Sequence, residues 1–176
     1  MNQALREEIN ELAEAIISYY HIQIPMQGKE HMQHIVETIG GELQYSEYTL
    51  ADGEIMKIEN SFEITIAEYM SDNRQIFTIA HELGHLFLHM GYEIDSENWS
   101  SNDNNIFFRN LSGEMEFQAH EFAAALLMPV QQFYEKMQEC YLGLGRYNMY
   151  EIASYFSVSE EAAYNRAKWL GIIPWR

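Results

Sequence analysis

A chain of 176 residues with 47% apolar content is long enough for one domain with a sizeable core and too apolar to be disordered. Its 27 acidic against 10 basic residues give a net charge of −17, a field that repels phosphate, argues against nucleic acid as the main ligand and favours basic partners. The single cysteine, Cys140, excludes an internal disulfide framework and a cysteine-based zinc site.

Leu5, Ile9, Leu12 and Ile16 follow a helical period and predict an amphipathic first helix. Glu7, Glu8, Glu11 and Glu14 accompany Arg6 there, the opposite of the basic start of a signal peptide, so a cytoplasmic protein is expected. No stretch approaches the roughly 18 apolar residues of a membrane span. Pro25 breaks the chain, and Ile35, Val36 and Ile39 belong to a short second helix that Gly40-Gly41 terminates. His31 and His34 lie in a polar stretch and read as solvated.

Strand-like segments follow at 42–48, 54–59 and 62–67, the first two separated by the hairpin signal Ala51-Asp52-Gly53. Phe62, Ile64 and Ile66 alternate with Glu63, Thr65 and Ala67, which predicts one buried face. An exposed edge on this last strand would hold an extended peptide by backbone pairing, which makes Phe62, Ile64 and Ile66 the substrate-strand candidates.

The strand runs into an apolar stretch, Ile76 to Met90, that contains His81-Glu82-Leu83-Gly84-His85. On a helix His81 and His85 lie one turn apart on one face, where two neutral imidazoles can share a zinc ion. Glu82 points about 100° away, too far round to ligate in the same way but suited to taking a proton from a water beside the ion. Unpartnered histidines and a carboxylate on so apolar a helix would cost about 1–3 kcal/mol each, and a metal removes that cost. The third ligand has to come from elsewhere, because Leu88 and Gly91 occupy the positions where a metzincin continuation needs glycine and histidine.

Residues 91–113 read as a long polar loop in which Trp99, Phe107 and Phe108 either form a flap over the cleft or anchor the loop to the core. The sequons at Asn98 and Asn110 read as chance matches. A second helical run begins near Glu116. Glu116 and His120 share a face of it, and Ala119 and Ala123 on that run, with Ala80 and Gly84 on the first, permit close approach. Glu116 would complete a His-His-Glu set with an open fourth position, the catalytic pattern of zinc. His120 is expected as a partner of a zinc histidine, with a three-histidine site using His120 as the rival. Tyr92, His89, Arg109 and His120 are the candidates for stabilising a developing oxyanion.

Met128-Pro129 ends the run, and Phe133 and Met137 suggest a further helix. Residues 150–171 read as helix, tight turn and helix, with Ser159 as an N-cap, in the manner of a helix-turn-helix. Arg166 and Lys168 are the only basic residues of its second helix, so a packing or docking role outweighs DNA binding.

The segment Phe77-Thr78-Ile79-Ala80-His81-Glu82-Leu83-Gly84-His85-Leu86-Phe87-Leu88-His89 resembles the metal helix of the ImmA/IrrE-type metallopeptidases. The run from Glu116 through Ala119-His120-Glu121-Phe122-Ala123-Ala124-Ala125-Leu126-Leu127-Met128-Pro129 is similar to their second block, and Val158-Ser159 and Leu170-Gly171 resemble their ending. The likeness spans roughly residue 60 to the end. It implies an α+β zincin-like domain with a small antiparallel or mixed sheet, a mostly helical remainder and a helix-turn-helix-like C-terminal pair. It also implies one zinc ion held by His81, His85 and Glu116, Glu82 as general base, and cleavage of a repressor of a mobile element such as a prophage, or of a stress regulon. His120 departs from the Asn or Asp that the family has at that position.

The expected protein is thus a single domain, 1–176. It comprises N-terminal helices (1–41), sheet and metal helix (42–90), a flexible loop (91–113), the second metal helix and its successor (114–149) and a C-terminal helical hairpin (150–176). The expected activity is that of a cytoplasmic zinc metalloendopeptidase acting on a basic repressor, with no membrane partner. The alternative is a zinc-holding regulatory protein that docks a repressor without cleaving it.

Overall fold

The computed structural model describes residues 2–49, 51–101 and 113–175. Among them the chain forms α1 (Gln3–Tyr19), α2 (Gly28–Ile39), β1 (Glu42–Ser46), β2 (Gly53–Ile58), β3 (Ser61–Ala67), α3 (Asp72–Leu88), α4 (Ser96–Ser101), α5 (Gly113–Leu127), α6 (Val130–Glu139), β4 (Tyr141–Gly143), β5 (Arg146–Tyr147), α7 (Met149–Tyr155) and α8 (Glu160–Trp169). The fold is mixed α and β, with a small mixed sheet set among helices.

Local chemistry sets the boundaries. The Asn2 side chain accepts a hydrogen bond from the Leu5 amide at 2.9 Å and caps α1, whose buried stripe is Ile9, Ala13 and Ile16. Gly40, at φ 105°, ends α2 in the left-handed conformation that glycine adopts without strain, and the Gly40 and Gly41 amides return to Val36 O at 3.1 and 3.0 Å. Pro129 separates α5 from α6. Ser159 caps α8 by accepting from the Ala162 amide at 3.1 Å.

The main sheet has the order β1-β3-β2, with β1 parallel and β2 antiparallel to β3. This overturns the substrate-strand expectation. β3 is the central strand, its backbone is paired on both sides, and Phe62, Ile64 and Ile66 are at most 1% exposed in the core. The alternation of residues 62–67 identifies a buried face but carries no information about which strand lies in the middle. The outer edges belong to β1 and β2.

α3 packs along α5 and touches β2, β3 and α2. Gln75 donates to Ala67 O and Glu68 O at 3.2 and 3.3 Å, which fixes the passage from β3 into α3. Asn73 donates to Val158 O at 3.1 Å and joins α3 to the α7–α8 turn.

Two further differences from the sequence expectations appear. Part of the segment read as a loop forms α4, where Asp95 accepts from the Glu97 and Asn98 amides at 3.1 and 3.0 Å. Trp99 is an anchor: its ring meets Tyr92 edge-on at 4.9 Å and lies under Lys57. Phe107, Phe108 and the sequon at Asn110 lie outside the described residues. The β4–β5 hairpin was not anticipated, although its tip, Gly143-Leu144-Gly145, has three successive positive φ angles.

Buried polar groups join the two ends of the chain to α5. Glu121, 6% exposed, accepts from Arg6 at 3.1 Å, Asn10 at 2.9 Å and Arg166 at 3.0 Å. Arg166, 1% exposed, also donates to Met128 O at 3.1 Å and to Asn10 at 2.7 Å.

Candidate metal centre

Close approach of α3 and α5 creates the site. A Cβ on Gly84 would lie 3.0 Å from Ala119 Cα, so glycine is the residue that lets the two backbones meet there. One turn before Gly84 and one residue after it, His81 and His85 point toward α5; one turn before Ala119, Glu116 points back.

The three side chains converge. His81 Nε2 and His85 Nε2 are 3.0 Å apart, and the Glu116 carboxylate reaches them at 3.3 and 3.4 Å. A tetrahedral ion with ligands at about 2.0–2.1 Å spaces neighbouring ligand atoms about 3.3–3.4 Å apart, close to the separations here between the two imidazole nitrogens and the two carboxylate oxygens, Oε2 facing His81 and Oε1 facing His85. His81, His85 and Glu116 form a group able to hold a metal ion. The fourth direction opens into a cleft of about 330 Å³ bounded by Ala51, Asp52 and Gly53 on one side and by Phe77 and His120 on another.

Burial keeps both imidazoles neutral, the form that ligates. It pushes His81 down to about 3, with help from His120 and His89, and His85 down to about 2, with help from His81, His89 and His120. The tautomer of His85 is set by a chain of rings. For His85 Nε2 to offer a lone pair, its Nδ1–H has to donate to His89 Nδ1 at 2.9 Å; His89 Nε2–H then donates to Gln118 Oε1 at 3.0 Å. His89 therefore sits behind His85 as its orienting partner and does not line the cleft. His81 Nδ1 is buried without a hydrogen-bond partner among the described residues; with a cation on Nε2 the ring proton would reside on this Nδ1.

Glu82 is 5% exposed and lies at the opposite side of the cleft, where β2 begins. A Cβ on Gly53 would come within 2.9 Å of Glu82 Oε1 and 2.5 Å of Thr78 Cγ2, so the start of β2 is pressed against α3 beside this carboxylate. Burial pushes Glu82 up to about 8, and the neighbouring charges of Glu116 and Glu54 add to the shift. A cation between Glu82 and Glu116 would reverse much of that effect and restore a basic carboxylate. Asp52 holds the loop ahead of β2 by accepting from Tyr69 at 2.7 Å and pairing with Arg74.

Of the oxyanion candidates, His120 lines the cleft at its rim, with its ring 4.5 Å from that of His81 and stacked on Phe77 at 5.9 Å. It touches His81 ring to ring and has no hydrogen-bond partner among the described residues, which differs from the bonded role expected for it. Burial shifts the His120 imidazole toward its neutral form, against the opposing charge of Glu116. Tyr92 is excluded from the site. After Gly91 the chain turns back over α3, and the Tyr92 hydroxyl donates to Ile39 O at 3.0 Å while its ring packs on Phe62 and Phe87. Arg109 lies outside the described residues. Gln118 was missed by sequence reasoning; its position two residues after Glu116 on the same helix was the available signal.

The helix-turn-helix-like pair offers little to DNA. Arg166 is buried on Glu121, Lys168 lies over the Trp175 ring, and Glu160 and Glu161 open α8. No described helix is long and apolar enough to cross a membrane.

Among curated proteins no relative matches the chain significantly. A solved structure described as a Mycobacterium tuberculosis transcriptional regulator is similar in fold, with a TM-score of 0.63 at 16% identity over 92% of this chain. The chain spans about half of that protein, 46% of its length. Residues 37–168 match the IrrE N-terminal-like domain, Peptidase_M78, and that match takes in the whole of α3 and α5 with His81, Glu82, His85 and Glu116; the chain belongs to this metallopeptidase family.

Proposed function

We propose that the protein is a zinc-dependent endopeptidase that cleaves a regulatory protein, a basic helix-turn-helix repressor of a mobile element or stress regulon. The observation that carries this reading is the meeting of His81, His85 and Glu116 in one cleft with Glu82 alongside. A zinc ion held there supplies Lewis acidity and lowers the pKa of water from about 15.7 toward 7. The three ligands leave one side open to substrate, as catalytic zinc sites do.

The chain's own residues then divide the work of hydrolysis. Glu82 accepts the proton from the attacking water as the new C–O bond forms and delivers it to the departing amine as the C–N bond breaks. His120, at the rim, is the described residue best placed to donate a hydrogen bond to the carbonyl oxygen as its charge develops. The outer edge of β2, which begins against Glu82, takes over the role first assigned to β3 and aligns an extended substrate by backbone pairing. The net charge of −17 suits a basic target.

Incubating zinc-loaded protein with basic repressor-like proteins and sizing the products by mass spectrometry tests the reading. Cleavage is expected for the wild type and lost in Glu82→Gln, which keeps its zinc. Repressor release that persists in Glu82→Gln would favour docking without cleavage, a mode suggested by the fold shared with a protein described as a transcriptional regulator.

A further inference from the structure

A second cavity, of about 490 Å³, opens next to the metal cleft. The two share Phe77 and His120, so a chain lying in the cleft passes the mouth of this cavity as it crosses the rim. Its size falls within the roughly 300–1,000 Å³ usual for ligand pockets.

The lining is mainly apolar. Phe77 and Ala124 come from the two metal helices, and Phe117 and Trp169, 65% and 47% exposed, stand as aromatic walls, with Ala162 of α8 completing the enclosure. Arg6 lies 3.9 Å above the Trp169 ring and steadies it. Asn165 and His120 also line it, while the charged groups of the lining are already committed to one another: Arg166 donates to Glu121, Asn10 and Met128 O, and Glu121 accepts from Arg6, Asn10 and Arg166. A charged or amide side chain entering here would lose water and find these groups engaged, whereas an apolar one gains burial without that cost.

We propose that this cavity is a specificity pocket that receives a large apolar side chain, aromatic or long aliphatic, of the polypeptide engaged in the metal cleft. The occupant is adjacent to the bond at the metal, because His120 borders both spaces. The proposal rests on the hydrolytic reading for its biological role and on the geometry alone for binding.

Binding and cleavage are therefore measured separately. Zinc-loaded Glu82→Gln protein is titrated with two blocked tripeptides that differ only in a central Phe or Ala, with Trp fluorescence and NMR as readouts. The Phe peptide is expected to bind about ten- to a hundredfold more tightly, the scale of burying one aromatic side chain. Ala124→Phe, which fills the cavity from α5, brings the ratio near one; Ala162→Phe, from the opposite wall, does the same and serves if the first variant misfolds. In a peptide library cleaved by the wild type, one position beside the scissile bond is expected to select Phe, Tyr, Leu or Met, and Ala124→Phe shifts that selection to small residues. Equal binding of the two tripeptides, or an undiminished ratio in both filled variants, overturns the pocket. Preferential binding with no cleavage by the wild type keeps the pocket and removes the hydrolytic reading; cleavage without apolar selection does the reverse.

Discussion

Replacing Gly84 with alanine sets two opposing effects against each other at the helix contact that builds the site. Helix propensity alone favours alanine by about 0.8–1.0 kcal/mol. The new methyl, however, would lie 3.0 Å from Ala119 Cα, 3.1 Å from Ala119 O and 3.2 Å from Phe122 Cβ, and the first two are backbone atoms of a helix that cannot swing aside. Relaxing to the usual separation of about 3.5–4.0 Å requires α5 to retreat by about half an ångström or more. Overpacking of this kind costs about 1–3 kcal/mol, so the metal-free protein is expected to lose about 0–2 kcal/mol. Zinc affinity suffers more, because Glu116 lies one turn from Ala119 and its carboxylate is drawn away from imidazoles it now meets at 3.3 and 3.4 Å. A drop of about 10–100-fold is expected, the scale seen when metal ligands lose their support. Urea unfolding in the presence of chelator, paired with a competition titration against a chromophoric zinc chelator, separates the two quantities. A variant that gains the full propensity term in stability and binds zinc as tightly as the wild type would refute the reasoning.

The remaining predictions concern charge and orientation. In chelated protein, His81 and His85 are held below their unfolded value of 6.5 and Glu82 is raised from 4.5 to about 8. The native histidines bind fewer protons than the unfolded ones, so they lower stability as pH drops below about 6.5; native Glu82 binds more between about 4.5 and about 8, so it lowers stability as pH rises across that window and no further above it, and Glu82→Gln should abolish only this second contribution in pH-dependent urea unfolding. Gln118→Leu removes the acceptor of the His89 Nε2–H and is expected to weaken zinc about tenfold, while Gln118→Glu, which keeps an acceptor, stays close to wild type in the same competition titration. Arg166→Ala leaves Glu121 without its closest buried counter-charge and should cost about 3–5 kcal/mol in urea unfolding; a loss under 1 kcal/mol would mean the pair is not buried as described.

The metal ligands were legible because helical periodicity fixes direction. Two histidines a turn apart on an apolar run have to face the same way, and Glu116 was the carboxylate that shared a face with His120. The helix ends at Gly40 and Ser159 were legible for the same reason, since each is a local hydrogen-bonding decision. What the sequence left obscure was long-range order. Nothing in residues 62–67 says whether the strand is central or at an edge, and pairing with β1 from the far side of β2 decided it. Tyr92 was an error of the same kind: four residues past the metal helix by number, it is carried away by the turn at Gly91. The role of Gln118 depended on a ring-to-ring chain that no spacing rule encodes.

Glu121 has a consequence beyond its ion pairs. Residues near the start of the chain and residues near its close fasten to the same carboxylate, on the helix that also supplies Glu116. The polypeptide is in effect laced shut at one knot, and slack introduced at either extremity reaches the metal through a single helix. Fraying of the first turns of α1, or of α8, would take away one of the two counter-charges on this buried carboxylate and loosen the third ligand with it.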